Sequence, residues 1–139
     1  MAFWLFKSEP DVFGWPHLLA KGAAGDLWTG VRNYQARNNM RAMAVGDLGF
    51  FYHSNIGKEI VGIVEVIRES APDTTTDDLR WDCVTVRAAQ ELPRTVTLDI
   101  CKVTPGLQDM VLVNNSRLSV QPVTGDEWRI ICALGGLGQ

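Results

Sequence analysis

Short stretches of alternating apolar and polar residues recur along this chain, and such alternation predicts β-strands. One of them, residues 60–68, is β-branched and apolar on both faces, which is typical of a central strand or of a barrel wall. A polar loop, residues 70–78, follows it. The strands predicted in this way are residues 3–7, 48–54, 60–68, 81–90, 92–98 and 118–120.

The strand predicted at residues 48–54 carries large side chains on both of its faces. Successive side chains of a strand point to opposite faces. Phe50 and Tyr52 therefore share one face, and Phe51 and His53 share the other. In a regular strand, Tyr52 and His53 do not point into the same site.

Apolar residues at helical spacing predict a few helices between and after the strands. Two short helices are predicted at residues 15–21 and 34–43, and a helical turn at residues 107–111. The final helix has the clearest start, because Thr124 and Glu127 have the T-x-x-E spacing of a capping box.

Five or six strands with short helices between them predict an α+β fold. Strands need closure or cover to hide their edges, so we expect a small mixed β-barrel, mostly antiparallel, flanked by short helices. The 139 residues fit a single domain spanning positions 1–139. A chain of this length buries roughly two-thirds of its unfolded surface, which is enough for a real core.

Composition narrows the possible functions. The chain is 46% hydrophobic with a formal net charge of −3, so binding of a polyanion would need a local basic face. Cys83, Cys101 and Cys132 lack the spacing of a metal site and predict reduced thiols. We expect no metal and no cofactor. The sequence shows neither the pattern of a signal peptide nor that of a transmembrane span, so we expect a cytoplasmic protein.

A basic segment at residues 28–41 stands out against this acidic background. Its sequence, WTGVRNYQARNNMR, contains two aromatic residues, three arginines, three asparagines and no acidic residue. Aromatic rings stack on bases, arginines bind phosphate, and amide side chains bind base edges. This mixture predicts a nucleic-acid-binding protein with a pocket rather than an enzyme with a nucleophile.

Four sequence patches, spread over nearly the whole chain, occur together in a characteristic order. They are FWLFKSEP at residues 3–10, WTGVRNYQARN at 28–38, FFYHSN at 50–55 and SRLSVQPV at 116–123. Together they resemble the EVE domain family of the PUA superfamily.

This resemblance implies a PUA-like fold, a curved and mostly antiparallel barrel flanked by helices. It also implies a non-catalytic domain that recognises a modified base, notably modified cytosine in DNA, by flipping the nucleotide into a pocket. The related YTH domains read methylated adenine in RNA. Modified DNA is therefore the favoured partner, and RNA is the alternative. The polar loop after Ser70 is shorter than in many relatives, which leaves the extent of a DNA-contacting loop open.

Eight residues of these patches are candidates for the base pocket. Trp28 and Tyr52 are candidates for the flat wall, since stacking on an aromatic side chain is worth about 1–3 kcal/mol per base. The alternative for both is a place in the core. Asn33 is also a good helix N-cap, and His53 is also a structural hydrogen-bonding residue. The full set is Ser8, Trp28, Asn33, Tyr52, His53, Ser54, Ser119 and Gln121.

Four basic residues are candidates for contacts with phosphate. Arg37 and Arg41 share a helix face because they are four residues apart, and Arg32 lies at the entrance of that helix. The alternative is a solvated helix face. The fourth candidate, Lys7, has an ion pair with Glu9 as its alternative.

Two other classes of function stay open at this point. The same pocket also suits a small ligand or a protein partner. A nucleobase-processing enzyme is less favoured, because the chain lacks the zinc-deaminase, G-x-S-x-G and P-loop motifs. His53 with Glu65 or Asp47 is the acid–base pair left for it. Nothing in the sequence resembles a coiled coil, and we expect a monomer without membrane contact.

Overall fold

The computed structural model describes residues 1–115 and 117–137, and Ser116 of the fourth patch lies outside the described residues. The strands are β1 (Phe3–Ser8), β2 (Asp26–Leu27), β3 (Leu48–His53), β4 (Glu59–Pro72), β5 (Asp82–Thr97) and β6 (Val120–Val123). The helices are α1 (Pro10–Phe13), α2 (Trp15–Ala20), α3 (Tyr34–Arg41), α4 (Leu98–Val103), α5 (Val111–Asn114) and α6 (Gly125–Leu134), with a 3₁₀ turn at Gly22–Ala24.

The six strands form one sheet in the order β2-β5-β4-β3-β1-β6. β1 and β3 are parallel, and the other neighbouring pairs are antiparallel. The α+β class and the mostly antiparallel strands are confirmed. The sheet is not closed, however, because β2 and β6 lie at its two ends. These edge strands span two and four residues, and short edges expose few unpaired backbone groups.

Two strands run further than the alternation predicts. β4 continues to Pro72, into the predicted loop. β5 joins the two strands predicted at 81–90 and 92–98 and contains Pro93. The pairing of β5 with β4 jumps from Glu91 to Val96. Proline lacks the N–H that a ladder needs, so it is tolerated at such an irregularity. α4 is a helix that the sequence pattern did not predict, and the predicted helical turn lies slightly later, at α5.

Each face of the sheet carries a hydrophobic cluster. The α2/α3 cluster lies on one face and includes Trp4, Phe6, Trp15, Leu18, Trp28, Val31, Met40 and Phe51. The α4–α6 cluster lies on the other and includes Leu5, Phe50, Tyr52, Cys101, Leu112, Trp128 and Ile131. The alternation predicted for β3 is confirmed, because Phe50 and Tyr52 belong to one cluster and Phe51 belongs to the other.

The capping box of α6 is confirmed. The Thr124 N–H donates to Glu127 Oε1 over 3.0 Å, and the Glu127 N–H donates to Thr124 Oγ1 over 3.2 Å. Two N–H groups at the start of the helix are thereby satisfied.

Candidate nucleic-acid interface

A pocket of about 370 Å³ lies beside the α2/α3 cluster. It is bounded by the end of β1, by α1 and by the segment that begins in β2. Its lining residues are Lys7, Ser8, Val12, Phe13, Asp26, Leu27, Trp28, Thr29, Gly30, Val31, Arg32 and Ser119. The structure thus brings together candidates from three of the four sequence patches, namely Lys7, Ser8, Trp28, Arg32 and Ser119.

Trp28 is part of the pocket and part of the core at once. Its side chain is only 8% exposed. Its N–H donates to the Val84 carbonyl over 2.8 Å. Its ring meets those of Phe6, Phe51 and Phe13 edge to face, with centroids 5.2, 5.6 and 6.1 Å apart. A place in the core and a place in the pocket lining are therefore compatible for Trp28.

Tyr52 lies on the opposite face of the sheet, in the α4–α6 cluster, and does not line this pocket. It is 3% exposed, and burial, together with the nearby Cys101 and Asp99, raises the pKa of Tyr52 to about 12. The Lys7 ammonium lies 5.8 Å from the centroid of its ring. Trp28 and Tyr52 therefore do not form two walls of one pocket.

The end of β1 holds the pocket's other elements in place. Ser8 Oγ donates to the Phe13 carbonyl over 2.6 Å, which fixes α1 at the pocket. The Lys7 N–H donates to the Ser119 carbonyl over 2.9 Å, which fixes the residue just before β6. Burial lowers the pKa of Lys7. The Ser54 N–H donates to the Ser8 carbonyl, but Ser54 itself lies outside the pocket lining.

Three other candidates have structural partners and lie outside the lining. Asn33 Oδ1 accepts from the Ala36 N–H over 2.9 Å, so Asn33 caps α3. His53 Nε2 accepts from the Trp15 N–H over 3.0 Å, and burial lowers the pKa of His53 despite the opposing charge of Glu59. The third, Gln121, is fully buried in β6 and donates to a backbone carbonyl of the preceding turn over 2.7 Å.

Two of the three arginines of the basic segment have acidic partners that the local sequence does not reveal. Arg32 Nη1 lies 3.1 Å from Asp73 Oδ2. Arg41 Nε donates to Asp82 Oδ2. Both aspartates belong to the β4–β5 region, which folds back over the segment. Arg37 has no such partner among the ion pairs of residues 1–115 and 117–137.

Asp73 connects this region to the pocket, and sequence reasoning missed it. It accepts from the Gly30 N–H over 2.8 Å, from Arg32, and from the Thr75 N–H over 2.7 Å. Burial opposes its ionisation, but the hydrogen bonds from Thr75, Gly30 and Arg32 outweigh that effect and lower the pKa of Asp73 to about 2. The D-x-T spacing of Asp73 and Thr75 was the available signal, since Asp often accepts from the backbone two residues on.

Phe13 and Asp26 also line the pocket without having been predicted. Phe13 lies in α1, whose four residues are too few to show a period. Asp26 is the only carboxylate residue in the described lining. Its Oδ1 accepts from the Leu27 N–H, and its Oδ2 lies 3.7 Å from Lys21 Nζ.

The sequence prediction also covers clusters of potential metal ligands and the state of the cysteines. In the described part of the chain, no group of three His, Cys, Asp or Glu residues is placed to hold a metal ion. Cys83, Cys101 and Cys132 are free and buried, and burial raises the pKa of each thiol. None of the described helices is both long and apolar enough to span a bilayer.

Comparison with known proteins identifies the family to which this chain belongs. The EVE domain family model matches residues 2–134, and the chain belongs to the EVE domain family. Thymocyte nuclear protein 1 of Mus musculus is 36% identical over 95% of this chain and 73% of its own length.

Solved structures agree with this assignment. A protein from Agrobacterium tumefaciens superposes with a TM-score of 0.96 at 55% identity, covering 98% of this chain and 94% of its own. Human THYN1 in complex with DNA containing 5-methylcytosine superposes with a TM-score of 0.88 at 33% identity, covering 98% of each chain. A YTH domain from Zygosaccharomyces rouxii, in complex with N6-methyladenosine RNA, has a TM-score of 0.60 at 19% identity, which shows a likeness of fold alone.

Proposed function

We propose that this protein binds nucleic acid containing a modified base, with modified cytosine in DNA as the target, and that it does so without catalysis. The modified base flips into the pocket beside Trp28. One observation carries the proposal. The pocket forms at the first and second sequence patches, in a chain that matches human THYN1 bound to 5-methylcytosine DNA over 98% of its length.

The chemistry of the pocket lining suits a methylated cytosine. Phe13 and Trp28 supply aromatic surface, and Val12 and Leu27 supply aliphatic surface of the kind that contacts a pyrimidine 5-methyl group. Asp26 supplies a carboxylate, which accepts hydrogen bonds from the cytosine N4 amino group. The pocket volume of about 370 Å³ falls within the range of small-molecule sites.

The phosphate contacts in this proposal differ in how available they are. Arg32 lines the pocket, close to the sugar–phosphate chain of a flipped nucleotide, but it is paired with Asp73. Lys7 also belongs to the lining, while its ammonium lies over the Tyr52 ring on the opposite face of the sheet. Arg37 has no carboxylate partner among the described ion pairs, whereas Arg41 must leave Asp82 to bind phosphate.

Five of the eight base-pocket candidates lie outside the pocket lining, and the proposal does not use them. They are Asn33, Tyr52, His53, Ser54 and Gln121.

Binding without catalysis is supported by the partners of the acid–base candidates. His53 accepts from the Trp15 backbone. Asp47 accepts from the N–H groups of Ala2, Trp4 and Ala44, and Glu65 is paired with Arg87. We further expect a monomer that acts in the cytoplasm.

A binding titration tests the proposal. Matched oligonucleotides carrying cytosine, 5-methylcytosine, 5-hydroxymethylcytosine or N6-methyladenine are titrated at low and moderate salt. We expect the tightest binding to a modified cytosine. Equal binding to all four contradicts the proposal and directs attention to free nucleosides, protein partners or turnover of a nucleobase.

A further inference from the structure

On the surface between the pocket and α3, a pair of stacked aromatic rings lies between two arginines. The rings of Tyr34 and Trp81 are stacked, with centroids 4.9 Å apart and planes inclined by 29°. Arg37 Cζ lies 4.8 Å from the centroid of Tyr34, and Arg32 Cζ lies 5.7 Å from that of Trp81. We call these four residues the arginine–aromatic ladder. Because Arg32 also lines the pocket, the ladder begins at the pocket and leads away from it.

The ladder lies on the surface rather than in the core. Tyr34 is 49% exposed, and Trp81 is half-buried. Arg80, next to Trp81 in sequence, donates from Nη1 to the Tyr34 hydroxyl over 3.2 Å. Exposed rings beside arginines are a recurrent feature of surfaces that bind nucleic-acid strands.

Arg37 differs from its neighbours in what holds it. Its Nε and Nη2 donate to Asn38 Oδ1 over 3.2 and 2.8 Å, and its Nη1 donates to the Arg80 carbonyl over 3.1 Å. These acceptors are neutral, whereas Arg32 and Arg80 are paired with aspartates. The guanidinium of Arg37 is therefore oriented by hydrogen bonds and by the Tyr34 ring while its positive charge stays uncompensated within the described chain.

We propose that the ladder binds the phosphodiester backbone of the nucleic-acid strand where it leaves the pocket. Arg37 contacts a phosphate, and Tyr34 and Trp81 are positioning residues that hold its guanidinium in place. A planar guanidinium binds phosphate through two parallel N–H groups, so its orientation matters as well as its charge. The inference rests on the proposed function, because the strand in question is the one whose base occupies the pocket.

The test uses the full chain and a DNA oligonucleotide with 5-methylcytosine, alongside its unmodified twin, over a range of salt concentrations. Phosphate contacts carry no base information, so Arg37→Gln weakens binding of both twins by the same factor. It also lowers the slope of log K against log salt by about 0.7–0.9, the value for one phosphate contact. Tyr34→Leu weakens both by about two- to fivefold, and Tyr34→Phe, which keeps the ring, restores near-normal affinity.

Arg129→Gln is the control, because it removes an exposed positive charge, paired with Asp126, from α6 on the other face of the sheet. Its salt slope stays at the wild-type value. The ladder is overturned if Arg37→Gln and Arg129→Gln behave alike, or if the wild-type protein binds neither oligonucleotide. A wild-type protein that binds both twins equally, with a reduced slope in Arg37→Gln, contradicts the modified-base proposal and leaves the ladder supported.

Discussion

Trp28 belongs to the core and to the lining of the pocket at the same time. Its ring is packed against three phenylalanines in the α2/α3 cluster, yet it also lines the pocket. Because the core fixes the ring from several sides, the pocket wall is rigid before any ligand arrives. A base that stacks there does not have to order the wall first, so less binding free energy is lost.

Trp28→Ala is expected to damage both properties. Removal of a buried aromatic side chain lowers the free energy of unfolding by about 3–5 kcal/mol. The variant still folds if the wild-type free energy of unfolding lies in the upper part of the usual range of about 5–15 kcal/mol. The folded fraction should lose its preference for the modified base. Urea unfolding measures the first effect, and titration of the folded protein measures the second. A variant that folds with unchanged selectivity would show that Trp28 belongs to the core alone.

Asp73 is expected to make stability depend on acidity. Its pKa is about 2 in the folded protein, below the value of about 3.9 in an unfolded chain. The native state therefore holds fewer protons between these values, and the free energy of unfolding falls as the pH drops from about 4 to 2. Asp73→Asn should lower stability at pH 7 by about 2 kcal/mol and flatten this acid dependence.

Urea unfolding from pH 7 to pH 2.5 checks this expectation. The exposed Asp109, changed to Asn, serves as the control and should keep the wild-type profile. Parallel profiles for the wild type and Asp73→Asn, offset by a constant, would refute the assignment of the acid sensitivity to Asp73.

At the scale of elements, local signals were readable from the sequence and long-range ones were not. The alternation in β3 and the capping box of α6 involve neighbours within a few residues, and both were predicted. The joining of two predicted strands into β5 depends on β4, because the partner strand stays paired on both sides of the irregularity at Pro93. The open sheet likewise follows from which strands meet, and alternation within each strand does not determine that.

A close contact between β4 and α2 gives a test at this scale. A Cβ atom at Gly62 would lie 2.4 Å from Trp15 Cη2, and Trp15 is buried with its Nε1 bonded to Glu91. Gly62→Ala should therefore lower the free energy of unfolding by about 1–3 kcal/mol, as overpacking does. Gly125→Ala is the control, because its nearest neighbour, a side-chain atom of Arg129, is 3.6 Å away. That change should be neutral or stabilising, as for alanine in place of glycine in a helix. Equal stability of the two variants, measured by thermal unfolding, would mean that Trp15 moves aside freely.

In the whole molecule, the two faces of the sheet carry different features. The face with α2 and α3 carries the pocket and the ladder, while the face with α4–α6 supplies a second core. Ser8, Trp28 and Ser119, which come from three of the sequence patches, line one pocket in the structure. The sequence did not show which face of β3 turns towards the pocket, because that strand is aromatic on both faces. Tyr52 was therefore predicted at the pocket, although it lies on the opposite face. The acids that meet Arg32 and Arg41 were equally unpredictable, since they come from the β4–β5 region some forty residues away in the chain.

The position of β1 determines when the pocket lining is completed during synthesis of the chain. This strand lies between β3 and β6 and pairs with both. Ser8 at the end of β1 and Ser119 just before β6 both line the pocket. A nascent chain therefore lacks part of the pocket lining until Ser119 and β6 have left the ribosome.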